Sequence, residues 1–132
     1  MRRILIDTNL LVAAVVWPQG LAAAALLRVL EDDVLVVTDY IVDEFRDVIA
    51  RKFARYGDAA EAFLSDMRYE ILPVGTSQVN IRDVKDQPIL DAAVAAAVDV
   101  IVTGDKDFHA LEISEPMVLT PRQYLELPAR ES

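Results

Sequence analysis

The chain has 132 residues, of which 54% are hydrophobic, so it is not largely disordered and is long enough to bury a core of its own. It has no cysteine and a single histidine, His109, which excludes disulfides, thiolate metal sites and histidine-rich zinc sites. Its 22 acidic and 13 basic residues give a net charge of −9. That charge argues against a passive nucleic-acid coat but not against an enzyme that holds cations among carboxylates.

Short β-branched runs alternate with helical patterns along the chain, and continuous apolar runs are typical of strands buried on both faces of a parallel sheet. In chain order, the predicted elements are a strand at residues 4–6, a helix at 21–30, a strand at 34–37, helices at 39–53, 58–70 and 86–98, strands at 100–102 and 117–119, and a short last helix from Thr120. This order predicts an α/β fold with a mostly parallel central sheet flanked by helices on both faces. We expect one domain over residues 1–132, with its core at about 3–124.

Three of the predicted strands run directly into polar residues that include a carboxylate. Asp7 follows the first strand, Asp39 follows the second, and Asp105 follows the strand at 100–102. Ligands of parallel α/β sheets bind at the carboxyl ends of the strands, so we expect these acids to lie near one edge. Asp7 and Asp105 are equally well explained as a cap or turn residue before a helix.

Two predicted helices carry further acids that can face the same edge. Glu44 lies on the flank of the apolar face of its helix, between the positions of buried and solvated side chains. Asp86 stands where an N-cap is expected, because Pro88 lies in the first turn that follows. Asp91 is about 140° further round that helix, so Asp86 and Asp91 do not both point at one ion unaided.

The chemistry available to these residue types is oxygen chemistry. The four glycines are too scattered for a dinucleotide-binding or phosphate-binding loop, and there is no G-x-S-x-G nucleophile elbow. Carboxylates gathered at one point repel one another unless they are protonated or neutralised by a cation. A hard divalent ion, Mg²⁺ or Mn²⁺, is the natural partner of an all-oxygen site.

Four blocks of the sequence resemble motifs of PIN domains, in the order and spacing of that family. Residues 4–9, Ile-Leu-Ile-Asp-Thr-Asn, resemble the opening motif, and Glu44-Phe45 matches the acidic position in the second helix. Residues 86–93, Asp-Gln-Pro-Ile-Leu-Asp-Ala-Ala, are similar to the third block, and residues 102–107, Val-Thr-Gly-Asp-Lys-Asp, resemble the closing motif. The resemblance covers residues 3 to about 124, and its specificity comes from the four blocks together.

The resemblance implies a metal-dependent endoribonuclease, most often a VapC-like toxin of a toxin–antitoxin pair. Carried over residue by residue, it implies that the catalytic acids and ligands of Mg²⁺ or Mn²⁺ are Asp7, Glu44, Asp86 and Asp105. It implies Asn9 and Thr103 as polar supports and leaves Asp91 and Asp107 as secondary candidates. The third block stays open, since Asp83, Asp86 and Asp91 lie close together in the sequence.

The implied partners are RNA, a cognate antitoxin and a second copy of the chain. A homodimer also fits the predicted helix at 21–30, which is apolar nearly all round, with Arg28 as its only charge. Basic residues late in the second helix and just after it are candidates to hold the RNA backbone, namely Arg46, Arg51, Lys52 and Arg55. For at least half of them we expect surface ion pairs instead, such as Asp47 with Arg51.

Two other function classes are compatible with the pattern. A phospho-acceptor receiver domain is also a doubly wound α/β fold, but it needs a second acid beside the first-strand aspartate, where this chain has Thr8-Asn9. A PIN fold that serves only as an interaction module is the other class, and the complete acidic set argues against it.

The sequence predicts a cytoplasmic protein without a membrane segment. The basic start at Met1-Arg2-Arg3 is followed too soon by Asp7 for a signal peptide. The longest apolar run, residues 10–17, is well short of a membrane span, and Pro18 ends it.

Overall fold

The computed structural model describes residues 1–128 and contains a five-stranded sheet whose neighbouring strands are all parallel. The strands are β1 (Arg3–Ile6), β2 (Val34–Thr38), β3 (Glu70–Leu72), β4 (Val100–Val102) and β5 (Met117–Leu119). They lie in the order β3-β2-β1-β4-β5, so β1 is central and pairs with β2 on one side and β4 on the other. Ile4, Leu5 and Ile6 are at most 2% exposed, as the continuous apolar run predicts for a strand covered on both faces.

Seven α-helices flank the sheet within residues 1–128: α1 (Thr8–Val16), α2 (Leu21–Asp32), α3 (Asp39–Lys52), α4 (Gly57–Asp66), α5 (Gln87–Ala95), α6 (Lys106–His109) and α7 (Pro121–Leu125). Two 3-10 turns, Ala54–Tyr56 and Val84–Asp86, precede α4 and α5. In this part of the chain no single helix is long and apolar enough to cross a membrane. Only α1 and α2 together pass that test, as a pair bent by 105°.

The predicted α/β fold with a parallel central sheet is confirmed, and the predicted strands at 100–102 and 117–119 have the observed bounds. The predicted helix at 58–70 is wrong at its end. It stops at Asp66, and Glu70 begins β3, a strand that the sequence pattern did not indicate. The apolar run at 10–17, which was not assigned a structure, is α1, and the short helix α6 was also not predicted.

The first and last parts of the described chain are joined by buried polar contacts. The carboxylate of Asp33, which is 4% exposed, accepts hydrogen bonds from the Arg2 backbone N–H at 3.1 Å and from the Tyr124 hydroxyl at 2.6 Å. The Arg28 guanidinium donates to the carbonyl oxygens of Tyr124, Leu125 and Leu127 at 2.6–2.9 Å. Arg28 is thus the partner of the free carbonyls at the end of α7 rather than a solvated charge.

The strand order places a topological switch point between β1 and β4. From β1 the chain proceeds to β2 and β3 on one side, and it then crosses to β4 and β5 on the other. Crevices at the carboxyl ends of strands that flank such a point are the usual ligand sites of doubly wound sheets. The residues that follow β1 and β4, starting at Asp7 and Thr103, therefore lie where such a site is expected.

Candidate active site

Asp7 lies at the junction between the central strand and the first helix. It follows β1 and is the N-cap of α1, where its Oδ1 accepts a hydrogen bond from the Leu10 N–H at 3.0 Å. The free N–H groups at a helix start are the usual donors to such a carboxylate. Its second oxygen, Oδ2, accepts a short hydrogen bond from the Thr103 hydroxyl. Asp7 is only 7% exposed, so a fully buried strand and a helix start together fix a carboxylate with little access to water.

Thr103 connects the ends of β1 and β4. Its side chain is fully buried, and its hydroxyl donates to Asp7 while it accepts a hydrogen bond from the Asp105 N–H at 3.0 Å. The Asp105 carboxylate caps α6 by accepting from the Asp107 N–H at 2.8 Å. The ring Nε2 of His109 lies 2.7 Å from the Thr103 carbonyl oxygen. One hydroxyl therefore sets the relative positions of two of the predicted acids.

Glu44 enters the site from α3. It is half-buried on this helix, while its acidic neighbours Asp43 and Asp47 are exposed, as the sequence pattern predicted. Buried Ile41 and Phe45 on either side hold that face of α3 against the core. Glu44 is thereby held at the boundary between core and solvent.

Asp86 differs from the cap that the sequence predicted. It flanks α5 in a helical backbone conformation, and its side chain makes no capping hydrogen bond. Its Oδ2 is buried and has no hydrogen-bond partner among residues 1–128. The capping role belongs to Asp83, whose carboxylate accepts from the Lys85 N–H at 3.0 Å at the start of the 3-10 turn. The Asp86 carboxylate is therefore available to a ligand.

The polar loop that leads to Asp83 and Asp86 is attached to α5. The Asp91 Oδ1 accepts hydrogen bonds from Ser77 Oγ and Gln87 Nε2, each at 2.8 Å. Gly75 lies so close to α5 that a Cβ there would be 2.6 Å from the Cβ of Ala95. Asp91 does not line the acidic pocket, and its contacts position the loop.

The acids from these four segments surround one small pocket. This acidic pocket has a volume of about 150 Å³ and is lined by Asp7, Thr8, Asn9, Glu44, Asp83, Lys85, Asp86, Ile89 and Asp105. All four predicted catalytic acids and Asn9 are in that set, whereas Asp39 and Asp107 are not. Asp107 is close by, because one carboxylate oxygen each from Asp83, Asp86 and Asp107 lie within 4.8 Å of one another.

Proximity and burial raise the pKa values of two of these acids. Burial is the main cause for Asp7, and the charges of Asp105 and Glu44 raise its pKa further, against the hydrogen bonds from Thr103 and Leu10, which lower it. The pocket thus disfavours the charged form of its most buried acid even though two donors contact it.

Asp86 has no donor to offset these effects. The pKa of Asp86 is raised from 3.8 to about 7. Burial is the largest cause, followed by the interaction with the Asp105 carboxylate and by the charges of Asp83 and Glu44. A cation in the pocket would remove the repulsion that causes this shift.

The residues present fit a hard divalent cation. The acids of the pocket offer carboxylate oxygens, the ligand type that Mg²⁺ and Mn²⁺ prefer. Two buried oxygen atoms that line it, Oδ2 of Asp86 and Oγ1 of Thr8, have no protein partner in the described part of the chain. Buried polar atoms nearly always form hydrogen bonds, so two such oxygen atoms without a partner in one pocket indicate that a ligand can bind there.

Three residues in or beside the site were missed by the sequence reasoning. Thr8 and Lys85 line the pocket, and Lys85 is the only basic residue among residues 1–128 that does so. Tyr40 lies one helical turn before Glu44, and burial and the charges of Glu44, Asp86 and Asp83 raise its pKa. The spacing of Tyr40 and Glu44 at i and i+4 is the one pattern that could have identified it.

The four basic residues predicted to hold RNA divide into two pairs. Arg46 forms a two-pronged ion pair with Glu61, at 3.0 and 3.1 Å, and Arg51 pairs with Asp47 at 2.9 Å. These exposed pairs, including the predicted one between Asp47 and Arg51, are ordinary surface contacts. Lys52 and Arg55 are exposed and form no ion pair with any of residues 1–128.

Known proteins resemble this chain in both sequence pattern and fold. No curated protein sequence matches it. A solved structure of VapBC2 from Rickettsia felis, bound to a DNA fragment from its promoter, includes a chain of the same fold, with a TM-score of 0.65 and 15% sequence identity. That match covers 89% of this chain and 96% of the other. The family model of the PIN domain matches residues 3–107, about four fifths of the sequence, and the chain therefore belongs to the PIN domain family.

Proposed function

We propose that the chain is a metal-dependent endoribonuclease, the toxin component of a toxin–antitoxin pair. The observation that carries the proposal is the acidic pocket, in which Asp7, Glu44, Asp86 and Asp105 meet at the topological switch point of the sheet. The raised pKa values of Asp7 and Asp86 support it, because repulsion of this kind is relieved by a bound cation.

The chain's own groups have distinct roles in this proposal. Asp7, Glu44, Asp86 and Asp105 hold Mg²⁺ or Mn²⁺. The Thr103 hydroxyl keeps Asp7 and Asp105 in register, since it contacts both segments. When bound, such an ion activates a water molecule and neutralises charge on the phosphodiester. No histidine base is needed, and Lys85 lies at the pocket to contact a backbone phosphate.

The partners are part of the same proposal. The Rickettsia felis structure with a chain of this fold is described as VapBC2, which supports a cognate antitoxin for the present chain. RNA as the substrate comes from the family resemblance, and a homodimer comes from the resemblance and from the apolar α2. A cytoplasmic location and a single domain over residues 1–132 stay predictions. Membership of the PIN family leaves a non-catalytic module as the alternative, and a complete acidic pocket favours the enzyme.

Cleavage of a labelled single-stranded RNA of mixed sequence tests the activity. We expect cleavage with Mg²⁺ or Mn²⁺ and none in excess EDTA. Asp7→Asn keeps the side-chain size and removes a ligand charge, so it should lower the rate by about 100-fold or more. Asp58→Asn, which changes an exposed acid of α4 outside the pocket, is the matched control and should retain full activity. Robust cleavage in EDTA, or full activity of Asp7→Asn, would contradict the proposal.

A growth assay tests the toxin assignment separately. Expression of the wild-type chain alone should slow the growth of a bacterial host, whereas expression of Asp7→Asn at the same level should not. Equal growth inhibition by both chains would mean that toxicity does not depend on the acidic pocket.

A further inference from the structure

A second pocket lies at the far ends of α1 and α3 and combines aromatic with basic residues. This aromatic–basic pocket has a volume of about 410 Å³ and is lined by Val16, Trp17, Lys52, Phe53, Ala54, Arg55 and Tyr56. Its size is within the range of small-molecule sites. It shares no residue with the acidic pocket.

The aromatic part of this pocket is exposed to solvent. Trp17 is the C-cap residue of α1, and 58% of its surface is exposed. Its ring and that of Phe53 form a T-shaped pair, with the ring centroids 5.9 Å apart and the planes at 80°. Whichever ring presents its edge, a T-shaped pair leaves at least one face of the indole uncovered by that neighbour. A face of indole stacks well on a flat ring such as a nucleic-acid base.

The charge around Trp17 is opposite to that of the molecule. The chain carries a net charge of −9, yet among residues 1–128 no acidic residue lines this pocket, whereas Lys52 and Arg55 do. Neither of these cations forms an ion pair within the described residues. The Arg55 guanidinium lies 5.1 Å from the centroid of the Tyr56 ring, so an aromatic ring rather than a carboxylate holds it. The pocket therefore offers two uncompensated positive charges beside an open indole.

The aromatic–basic pocket and the acidic pocket lie at opposite ends of α1 and are separated along α3. Asp7 caps the start of α1 and Trp17 caps its end, and ten residues of helix extend about 15 Å. On α3, Glu44 and Lys52 are separated in the same direction by about 12 Å. A stacked strand advances by about 3.4 Å per nucleotide, so about four nucleotides are needed to extend from one pocket to the other.

We infer that the aromatic–basic pocket binds single-stranded RNA, with a base stacked on Trp17 and the adjoining phosphates on Lys52 and Arg55. The nucleotide bound in this pocket is at least about four nucleotides along the strand from the one in the acidic pocket. Stacking platforms flanked by cations are the usual means of binding single strands, whose bases are free to stack, whereas those of a duplex are not. This inference rests on the proposed ribonuclease function, for which it names a second contact with the substrate.

Trp17 is the only tryptophan of the chain, so its fluorescence reports directly on the pocket. In EDTA, where we expect no cleavage, a ten-nucleotide oligoadenylate should quench the Trp17 emission, and the quenching should weaken as salt is raised. A fully paired RNA duplex of the same length should not quench it. An acidic peptide that contains phenylalanine is the second probe, and quenching by that peptide but not by the oligoadenylate would overturn the inference in favour of a protein partner.

Variants test the same contacts by anisotropy of labelled oligoadenylate in EDTA. Trp17→Ala should weaken binding by about tenfold, the loss typical of one stacked base. Lys52→Gln and Arg55→Gln should each weaken it severalfold and reduce the salt dependence, and both retain the indole. Arg122→Gln, which removes an exposed cation on α7, is the matched control and should leave binding unchanged. Thermal melting of each variant shows whether the fold is intact.

Substrate length separates this inference from the proposed function. With Mn²⁺, Trp17→Ala should raise KM for a ten-nucleotide RNA and leave kcat, and the cleavage of trinucleotides, unchanged. If metal-dependent cleavage occurs but Trp17→Ala alters neither KM nor quenching, the inference is overturned and the nuclease stands. If quenching by oligoadenylate occurs without any cleavage, the proposed activity fails while the RNA-binding surface remains.

Discussion

Asp7 and Asp86 belong to the same acidic pocket, but hydrogen bonds satisfy only the first. Asp7 has donors on both oxygens, from Leu10 and Thr103, whereas the Oδ2 of Asp86 has no partner among the described residues. Asn in place of Asp7 retains an acceptor for one of these donors, while Asn in place of Asp86 breaks no hydrogen bond between the buried Oδ2 and the described residues. Asp86 is therefore the position at which the electrostatic cost of the metal-free pocket can be measured most directly.

We expect Asp86→Asn to melt at a higher temperature than the wild type in EDTA at pH 8. The folded pKa of Asp86 is about 7 against 3.8 for the ordinary group, so ionisation destabilises the fold, and this penalty is complete above pH 7. It fades as the pH falls from 7 towards 4, where the folded and then the unfolded group become protonated. After solvent screening we expect a gain of about 1 kcal/mol at pH 8, measured by thermal melting.

The matched control for this experiment is Asp43→Asn, which neutralises an exposed acid on α3 and should leave the melting temperature nearly unchanged. Added Mg²⁺ should reverse the order of Asp86→Asn and wild type, because the ion stabilises the protein that binds it better. A lower melting temperature of Asp86→Asn in EDTA at pH 8 would mean that the carboxylate makes a stabilising contact instead.

The end of α5 contains a backbone conformation that its sequence does not favour. After the last helical residue, Ala97 has a φ of 53°, and the N–H groups of Ala97 and Val98 donate to the carbonyl oxygens of Val94 and Ala93. These two bonds define a Schellman motif, in which glycine is the usual residue at the left-handed position. Alanine there costs about 1–2 kcal/mol because of its Cβ.

We therefore expect Ala97→Gly to stabilise the protein by about 0.5–1 kcal/mol, since the relief of the Cβ clash exceeds the added entropy of the unfolded chain. Denaturant unfolding measures this. The control is Ala50→Gly, at an exposed helical position of α3, which should destabilise by a similar amount. Destabilisation by both substitutions would show that the left-handed turn carries no strain.

The sequence signal is clearest where a strand is buried on both faces. Residues 4–6 of β1, 35–37 of β2 and 100–102 of β4 are buried and apolar without interruption, and this pattern has few other interpretations. β3 has three residues, of which Glu70 and Ile71 are exposed, and only its pairing with β2 makes it a strand. No local signal ends the preceding helix at Asp66, because the residues that follow are all compatible with a helix.

The candidate site was predictable as a region but not in detail. The carboxyl-edge rule places Asp7, Asp39 and Asp105 on one edge of the sheet, and the structure adds that Asp39 lies outside the acidic pocket. Asp7 and Asp105 share the pocket because they follow β1 and β4, the two strands at the switch point. Strand order depends on contacts between residues that are distant in the chain, so the local sequence pattern does not reveal it. The contribution of Lys85 depends on how the loop before α5 folds onto that helix, which the sequence pattern does not express.

Helix α2 exposes part of its apolar surface. Ala25, Leu26 and Val29 are buried, whereas Leu21 and Leu27 are 46% and 57% exposed. Large apolar side chains that stay exposed on a helix are candidates for an interface. The predicted homodimer would cover them.

We expect light scattering to give the mass of a dimer at micromolar concentrations, and Leu27→Glu to shift it to that of a monomer, since a charge would be buried in the interface. The matched control is Val74→Glu, which places the same charge at a residue that is 99% exposed in the loop after β3. A monomeric wild type, or a dimer that Leu27→Glu does not affect, would exclude α2 as the interface.

The contacts that complete the acidic pocket join residues that are far apart in the chain. The Thr103 hydroxyl reaches back 96 positions to Asp7, and, outside the pocket, the Tyr124 hydroxyl reaches back 91 positions to Asp33. Because loop closure over such separations precedes any gain from the contact, these bonds form only when the rest of the sheet is in place. During synthesis on the ribosome, a nascent chain that ends before β4 holds Asp7, Glu44 and Asp86 but lacks Thr103 and Asp105. The proposed nuclease would in this way stay inactive until β4 and the residues that follow it have been made.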